Sequence, residues 1–448
     1  MSGPRVRVVV VNYNGGDLTL RCLESARRTD WPPESLETVL VDNGSSDGVA
    51  SRVRELMPDV EVIDSGANRG FAGGCNLAMA DLDGADYVAL LNNDATVDPG
   101  WLGPLVAALE ADPSIGAASA KILFADWFVD IGLESTTAVR GLGDRRALGV
   151  RLSGVRVDGR DAFGVTQLVE GFWGLEHDHD GSEACQWSAG RALLRVPVPH
   201  DGPVPECRVR LDADRARTVV LTSGPHRVEH RVTSEPTWYP VPLGDERIRV
   251  VNNVGSVLLE AGYGADRGYL ERDRGQFDRV EEVFAWCGAA VLLSRRYLEA
   301  VGLFDDRFFL YYEDFDLSWR GRAQGWRYVY VPESVVYHVH SASSVVGSRL
   351  FAHFTERNRL LTLTRNAPLG LACRQAGRHL LITGSYARRD ILSPLAHTRR
   401  PVGETVFRRL RSFAAYLRLL PSTLADRRRL RAGRSVDDRE VLEWMVRS

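Results

Sequence analysis

Disulfide patterning, membrane spans and lysine are what this chain most clearly lacks. Its six cysteines stand at positions 22, 75, 185, 207, 287 and 373, with no CxxC pair and no metal-type spacing. Free thiols are therefore expected, rather than a disulfide framework or a thiolate metal cage. No run of about 18 apolar residues occurs, which predicts no transmembrane helix. The N-terminal apolar run Val8–Val11 is too short for a secretory signal, so a cytoplasmic location is the expectation. Lys121 is the single lysine, which makes the abundance of arginine partly a habit of composition. No internal repeat, long low-complexity tract or recognisable nucleic-acid motif is present, and no nucleic-acid partner is expected.

What is present is enough for a core of normal size. The 448 residues suggest two or three units, and 44% hydrophobic with 26% charged residues is ordinary for a globular protein. Charge is unevenly spread. From Phe351 to Ser448, 20 arginines face 8 acids, a net of +12, which leaves −15 on the first 350 residues. A basic end on an acidic body suits an anionic partner such as the inner face of a cell membrane or a phosphate-bearing lipid. The alternative is a solvated helical face.

Strand and helix patterns alternate through the first 120 residues. Arg5–Asn12, Glu37–Asp42, Val60–Ile63, Asp86–Asn92 and Ile115–Ala120 read as strands. Leu18–Arg28, Asp47–Met57, Gly73–Ala80 and Gly100–Ala111 read as helices. This predicts an α/β fold with a mainly parallel sheet and ligands at the carboxyl ends of its strands. Short alternating runs between turn residues then predict an all-β insertion, a small sandwich. The α/β character returns with Val283–Ser294, a helix over Asp314–Gln324 and strands near Tyr328–Val331 and Val335–His338. Basic helices follow, including Phe351–Thr364 and Thr405–Leu420. The expected divisions are 1–125, 126–247 (the insertion), 248–349 and 350–448 (the helical C-terminal region).

Four segments at strand ends combine glycine with short polar side chains: Asn12-Tyr13-Asn14-Gly15-Gly16, Asp42-Asn43-Gly44-Ser45, Asn68-Arg69-Gly70 running on to Asn76, and Asn92-Asn93-Asp94. Such ends let backbone and side chains approach a flat polar ligand such as a nucleoside. Each alone also makes an ordinary turn or cap.

Together with Cys287-Gly288-Ala289-Ala290, Phe308–Arg320 (FFLYYEDFDLSWR) and Tyr337-His338-Val339-His340, these segments resemble glycosyltransferase family 2, the inverting family with the GT-A nucleotide-sugar fold. The nearest likeness is to rhamnosyltransferase-like and galactofuranosyltransferase-like members that build bacterial surface polysaccharide. The resemblance runs over about 5–124 and 250–344, and the insertion interrupts it. It implies a UDP- or dTDP-sugar donor, and a glycan or polyprenyl-linked glycan acceptor. It implies nucleotide contacts at Asn12, Asn14, Asp42, Asn43, Asn68, Gly70, Asn76 and Asn93, with Asp42 accepting from the base imide. Asp94 is the implied ligand for Mg²⁺ or Mn²⁺, although the acidic triplet here has only its last acid, and His338 is the implied second ligand. Asp314 is the implied general base. Trp286, Cys287, Gly288 and Glu313 would line the acceptor and sugar pocket.

Two other readings compete. A non-catalytic nucleotide-sugar or glycan-binding protein is suggested by the depleted acids at 92–94, with Trp173, Trp187 and Trp238 of the insertion as a possible sugar surface. A nicotinamide dehydrogenase is disfavoured because the first strand leads into NYNGG rather than G-x-G-x-x-G. The run Glu176–Asp180, metal-like in composition, reads as a hydrophilic turn.

Overall fold

The computed structural model describes residues 3–141, 144–174, 176–177, 184–339, 348–396 and 401–447. The chain forms two units, one of Met1–Leu123, Asn252–Tyr269 and Gly275–Ser448, the other of Phe124–Val251 and Leu270–Arg274.

In the larger unit, β1 (Val6–Asn12) pairs in parallel with β2 (Leu36–Asp42) and β4 (Tyr87–Asn92), and β2 with β3 (Val60–Asp64). The unbroken valine run of β1 fits this place, because helices cover a parallel sheet on both faces. Val6, Val8 and Val10 pack in one core with Leu20, Leu23 and Ala26 of α1 (Asp17–Arg27) and Leu102, Leu105 and Leu109 of α4 (Leu102–Ala111). The helices α2 (Val49–Leu56) and α3 (Gly70–Met79) follow β2 and β3. Register sets Asn12 against Asp42 and Val11 against Asn92, so the polar strand ends gather along one edge.

The other half of this sheet brings in antiparallel pairs. The strand Ala290–Ser294 lies between β4 and β6 (Ile115–Phe124) and runs against both. Beyond β6 comes the single long strand Arg327–His338, whose end pairs antiparallel with β5 (Ala95–Val97). The sheet is thus mixed, parallel from β3 through β2 and β1 to β4 and antiparallel about Ala290–Ser294. Nearly two hundred residues separate β4 from Ala290–Ser294, so no short crossover helix imposes a parallel return.

The smaller unit is all-β, as its alternating runs suggest, with a single core of Val129, Ile131, Leu194, Val209, Val219 and neighbours. Ten of its strands join in one antiparallel sheet, and Ala138–Gly141 pairs with Asp144–Leu148 in a separate hairpin. The 15-residue strand Ala184–Val198 pairs with Trp127–Ser135 through its second half and with Arg151–Val157 through Gln186 and Trp187. Trp187 is buried, while Arg156 and Arg146 cover the rings of Trp238 and Trp173. Glu176 pairs with Arg146; Asp178, His179 and Asp180 lie outside the described residues.

Arg295–Val301 forms α5, and Glu313–Arg322 forms α6. The C-terminal region is not a free basic tail. Its α7 (Arg349–Asn366) is buried from Arg357 to Asn366. Arg365 pairs with Asp305, Asp316 and Asp426, and Arg427 donates to the carbonyls of Thr364 and Ala367. Then come α8 (Leu369–Ala387), α9 (Ser393–Ala396) and α10 (Glu404–Ala432). Four of the twenty arginines, Arg357, Arg359, Arg365 and Arg427, are therefore held inside the fold. Among the described residues no helix is long and apolar enough to cross a membrane.

Candidate active site

At the polar strand ends the larger unit holds a cavity of about 610 Å³. Its walls include Asn43, Asn68, Gly70, Asn93, Asp94, Cys287, Gly288, Glu313, Asp314 and His338, residues scattered over nearly 300 positions.

Pairing of β5 with Arg327–His338 decides one side. His338 stands opposite Ala95, and Val339 N–H donates to the Asp94 carbonyl at 3.0 Å. The His338 Nε2 consequently lies 2.9 Å from Asp94 Oδ1. On the other ring edge Nδ1 faces Asn252 Oδ1 at 3.1 Å. A carbonyl oxygen only accepts, so Nδ1 donates to Asn252, while Nε2 faces the Asp94 carboxylate and, at 3.3 Å, the Asn92 amide. A carboxylate oxygen and an imidazole nitrogen side by side are donors that Mg²⁺ or Mn²⁺ accepts. The donor set therefore fits a hard divalent ion whose remaining ligands come from elsewhere. His340 lies outside the described residues.

The opposite wall is built by α6. Consecutive helical residues turn by about 100°, so Asp314 and Asp316 diverge. Asp314 lines the cavity, and its carboxylate accepts from Gly288 N–H at 3.0 Å and Phe315 N–H at 2.7 Å. Asp316 is buried away from it, tied to Arg320 at 3.0 Å and to Asn366 at 2.7 Å. Burial lifts the Asp314 carboxyl to about 6, against the pull of those two N–H donors, and Asp266 pushes it the same way. Burial and the neighbouring Asp314 raise Glu313 well above the usual carboxylate range.

The strand-end residues divide into lining and wiring. Asn12 is fully buried. Its carbonyl accepts from Gly15 N–H, Thr19 Oγ1 and Asn93 Nδ2 at 2.8–3.2 Å, and its amide donates to Ser45 Oγ. It ties three loops together, and its side chain is off the cavity wall. Asn14 accepts from Ser46 N–H at 2.8 Å, also off the wall. Asn76 turns to Phe304, donating to its carbonyl at 2.9 Å and accepting from its N–H at 3.1 Å. Trp286 is fully buried beside Phe304, which corrects its expected role as an exposed stacking face. Asp42 is also off the wall, next in the chain to the lining Asn43, and its Oδ1 is buried with no hydrogen-bond partner among the described residues.

Sequence reasoning missed Asp266, Asn252 and Asn358. Asp266 lines the cavity, accepts from Asn253 Nδ2 at 2.6 Å, and is raised by burial. Val250-Val251-Asn252-Asn253 repeats the valine-then-asparagine form of the β1 end and was legible on that ground. Asn358 carried no local signal. Its buried amide nitrogen lies 2.7–2.9 Å from the carbonyls of Phe308, Leu310 and Tyr311. That loop leads into α6 with Phe309, Tyr311 and Tyr312 all at positive φ, a conformation these bulky residues hold only under constraint. Asn358→Leu leaves those carbonyls short of a donor. It is expected to cost roughly 3 kcal/mol in urea unfolding and to lower turnover, since the loop aims Glu313 and Asp314.

Gly70 meets the same loop. Its φ is +71°, and a Cβ there would stand 2.1 Å from the Phe309 carbonyl oxygen. Gly70→Ala should cost about 2–4 kcal/mol. Gly103→Ala, on α4 with open space around it, should stabilise by about 0.5–1 kcal/mol. Paired denaturant melts check both.

The family model "Glycosyl transferase family 2" matches residues 7–128, and "Glycosyl transferase family group 2" matches 248–425. The N-acetylglucosaminyl-diphospho-decaprenol L-rhamnosyltransferase of Mycobacterium tuberculosis is 42% identical over 359 residues, 77% of this chain and 80% of the relative. The chain belongs to glycosyltransferase family 2. It is a glycosyltransferase, which removes the dehydrogenase and the non-catalytic binding protein from the competing readings. Among solved structures, this transferase is similar to GalNAc-T7 with UDP, GalNAc and Mn²⁺ (TM-score 0.43, 16% identity, 81% of this chain and 48% of that one). It is also similar to the mannosyltransferase PcManGT of Pyrobaculum calidifontis with GDP-Man and Mn²⁺ (TM-score 0.42, 14% identity, 93% and 88%).

Proposed function

We propose that this transferase moves a 6-deoxyhexose, rhamnose in the first instance, from a dTDP- or UDP-sugar to a hydroxyl of a polyprenyl-diphosphate-linked N-acetylglucosamine, with inversion. One observation carries the mechanism: Asp94 with His338, and Asp314, lie on the walls of one cavity. The sugar and acceptor lipid follow from the name of the 42%-identical relative.

Asp42 accepts the imide N–H of the base, which its partnerless Oδ1 favours. Asn43, Asn68 and Gly70 line the nucleoside side of the cavity, and Asn12, Asn14, Asn76 and Asn93 hold the loops that shape it. Asp94 and His338 would hold Mg²⁺ or Mn²⁺. Such an ion supplies neutralisation of the diphosphate as it becomes the leaving group. Asp314, oriented by the Gly288 N–H, takes the proton of the acceptor hydroxyl as that oxygen attacks. Glu313, Cys287 and Gly288 border the sugar, and Asp266 is placed to accept from a sugar hydroxyl. A single displacement with one base inverts the anomeric centre.

The test is transfer from a panel of nucleotide sugars to polyprenyl-diphospho-N-acetylglucosamine, with product configuration read by NMR. Transfer from a deoxyhexose donor, stopped by EDTA and restored by Mn²⁺, is expected. Absence of transfer from every donor, or retention of configuration, overturns the reading.

A further inference from the structure

Exposed apolar side chains are concentrated at the end of the chain. Of nineteen large ones among the described residues, twelve lie between Leu350 and Val446, so the apolar surface gathers in the last quarter of the sequence.

The helices α8 and α10 carry most of them. Both pack on α7 and against each other, with Arg409 of α10 donating to Thr383 of α8 at 3.0 Å. The inner face of α10 carries Ser412, Tyr416, Thr423 and Arg427. Its outer face carries Phe407, Leu410, Leu417 and Leu424, which are 67%, 46%, 47% and 37% exposed. Spacings of three and seven place those four on one helical stripe. Exposed Arg411 and Arg418 lie between them, and exposed Arg428 follows one turn beyond Leu424. The helix has two acids: Glu404 pairs with Arg349, and Asp426 turns inward to Arg307 and Arg365. The sequence of α8 contains no acid at all, and its outer face presents Arg374, Arg378 and Leu381, which is 77% exposed.

A water-exposed leucine and phenylalanine stripe bordered by arginine, with Glu404 as its one exposed acid and that acid paired with Arg349, matches a helix lying in a bilayer interface. Arg357, Arg359, Arg365 and Arg427 are buried and cannot contribute, so the attraction belongs to this face and not to the net charge of the region. We infer that the outer faces of α8 and α10 dock on an anionic bilayer, with the apolar stripe entering the acyl boundary and the arginines holding headgroup phosphates. This rests on the proposed lipid-linked acceptor, whose reactive sugar stays within reach of the membrane surface.

The test is flotation of the full chain with phosphatidylcholine vesicles, with and without phosphatidylglycerol. Binding only to the anionic vesicles is expected. A Leu381→Ser, Phe407→Ser, Leu417→Ser triple variant should fail to float while keeping its thermal melt and its turnover of a short-chain, water-soluble acceptor. Arg411→Ser with Arg418→Ser should weaken binding about fivefold per arginine at low salt. Equal flotation of the triple variant overturns the inference. So does flotation with neither vesicle, including the case in which the face proves to be covered by a second copy in sedimentation. Loss of transfer with flotation intact would instead sink the proposed reaction and leave this surface standing.

Discussion

Asp314→Asn is expected to bind donor nucleotide as the wild type does and to transfer sugar about 10²–10⁴-fold more slowly. An amide cannot take the acceptor proton, yet it keeps the shape of the carboxylate and one of its two acceptor positions toward Gly288 and Phe315. The wild-type pH profile should carry the same signature. The base works only when deprotonated, and burial holds its carboxyl at about 6. kcat/KM should therefore fall about tenfold per pH unit below about 6 and level off above it, whereas a solvated aspartate would put that limb near 4. The limb should vanish in the asparagine variant. A limb near 4, or normal turnover by the variant, removes Asp314 from the role of base.

The second large effect is expected from Asp94→Ala. Without that carboxylate the His338 Nε2 loses the atom that faces it at 2.9 Å, and the pair can no longer hold an ion between them. Metal-supported catalysis contributes several kcal/mol, so transfer should drop on the order of 10²–10⁴-fold. Donor affinity should weaken too, which distinguishes this variant from Asp314→Asn. Mn²⁺ binding to the protein with nucleotide, followed by electron paramagnetic resonance, should fall in Asp94→Ala and in His338→Ala. Metal-stimulated transfer at the wild-type rate in Asp94→Ala would rule out this cation site.

Much of the site was legible before the fold was known, because strand ends announce themselves. Valine runs that stop at Asn12, Asp42 and Asn92 mark where a parallel sheet opens to a ligand, and the observed register aligns them. The same local logic failed for Trp286. An aromatic beside Gly288 reads as a stacking face, but only the packing of Phe304 against it reveals that the ring is enclosed. It failed for the C-terminal arginines as well. Their sequence gives a charge, while ion pairs to Asp305, Asp316 and Asp426 decide how much of that charge reaches solvent.

Hydrophobic period and polar strand termini are local quantities, so the sequence alone determined the alternating α/β half, the β-rich insertion and the helical end, while Asp94, Asp314 and His338 stood out through its resemblance to glycosyltransferase family 2. Distance between remote residues is not local. Only antiparallel pairing 244 positions apart set His338 against Asp94. Only the helical turn separated Asp314 from Asp316, and only the docking of α7 through Asn358 and Arg365 fixed the loop that leads to Asp314. Those contacts exist because the sheet and helices bury their apolar faces together, and the chemistry follows from which polar groups that burial leaves facing one cavity.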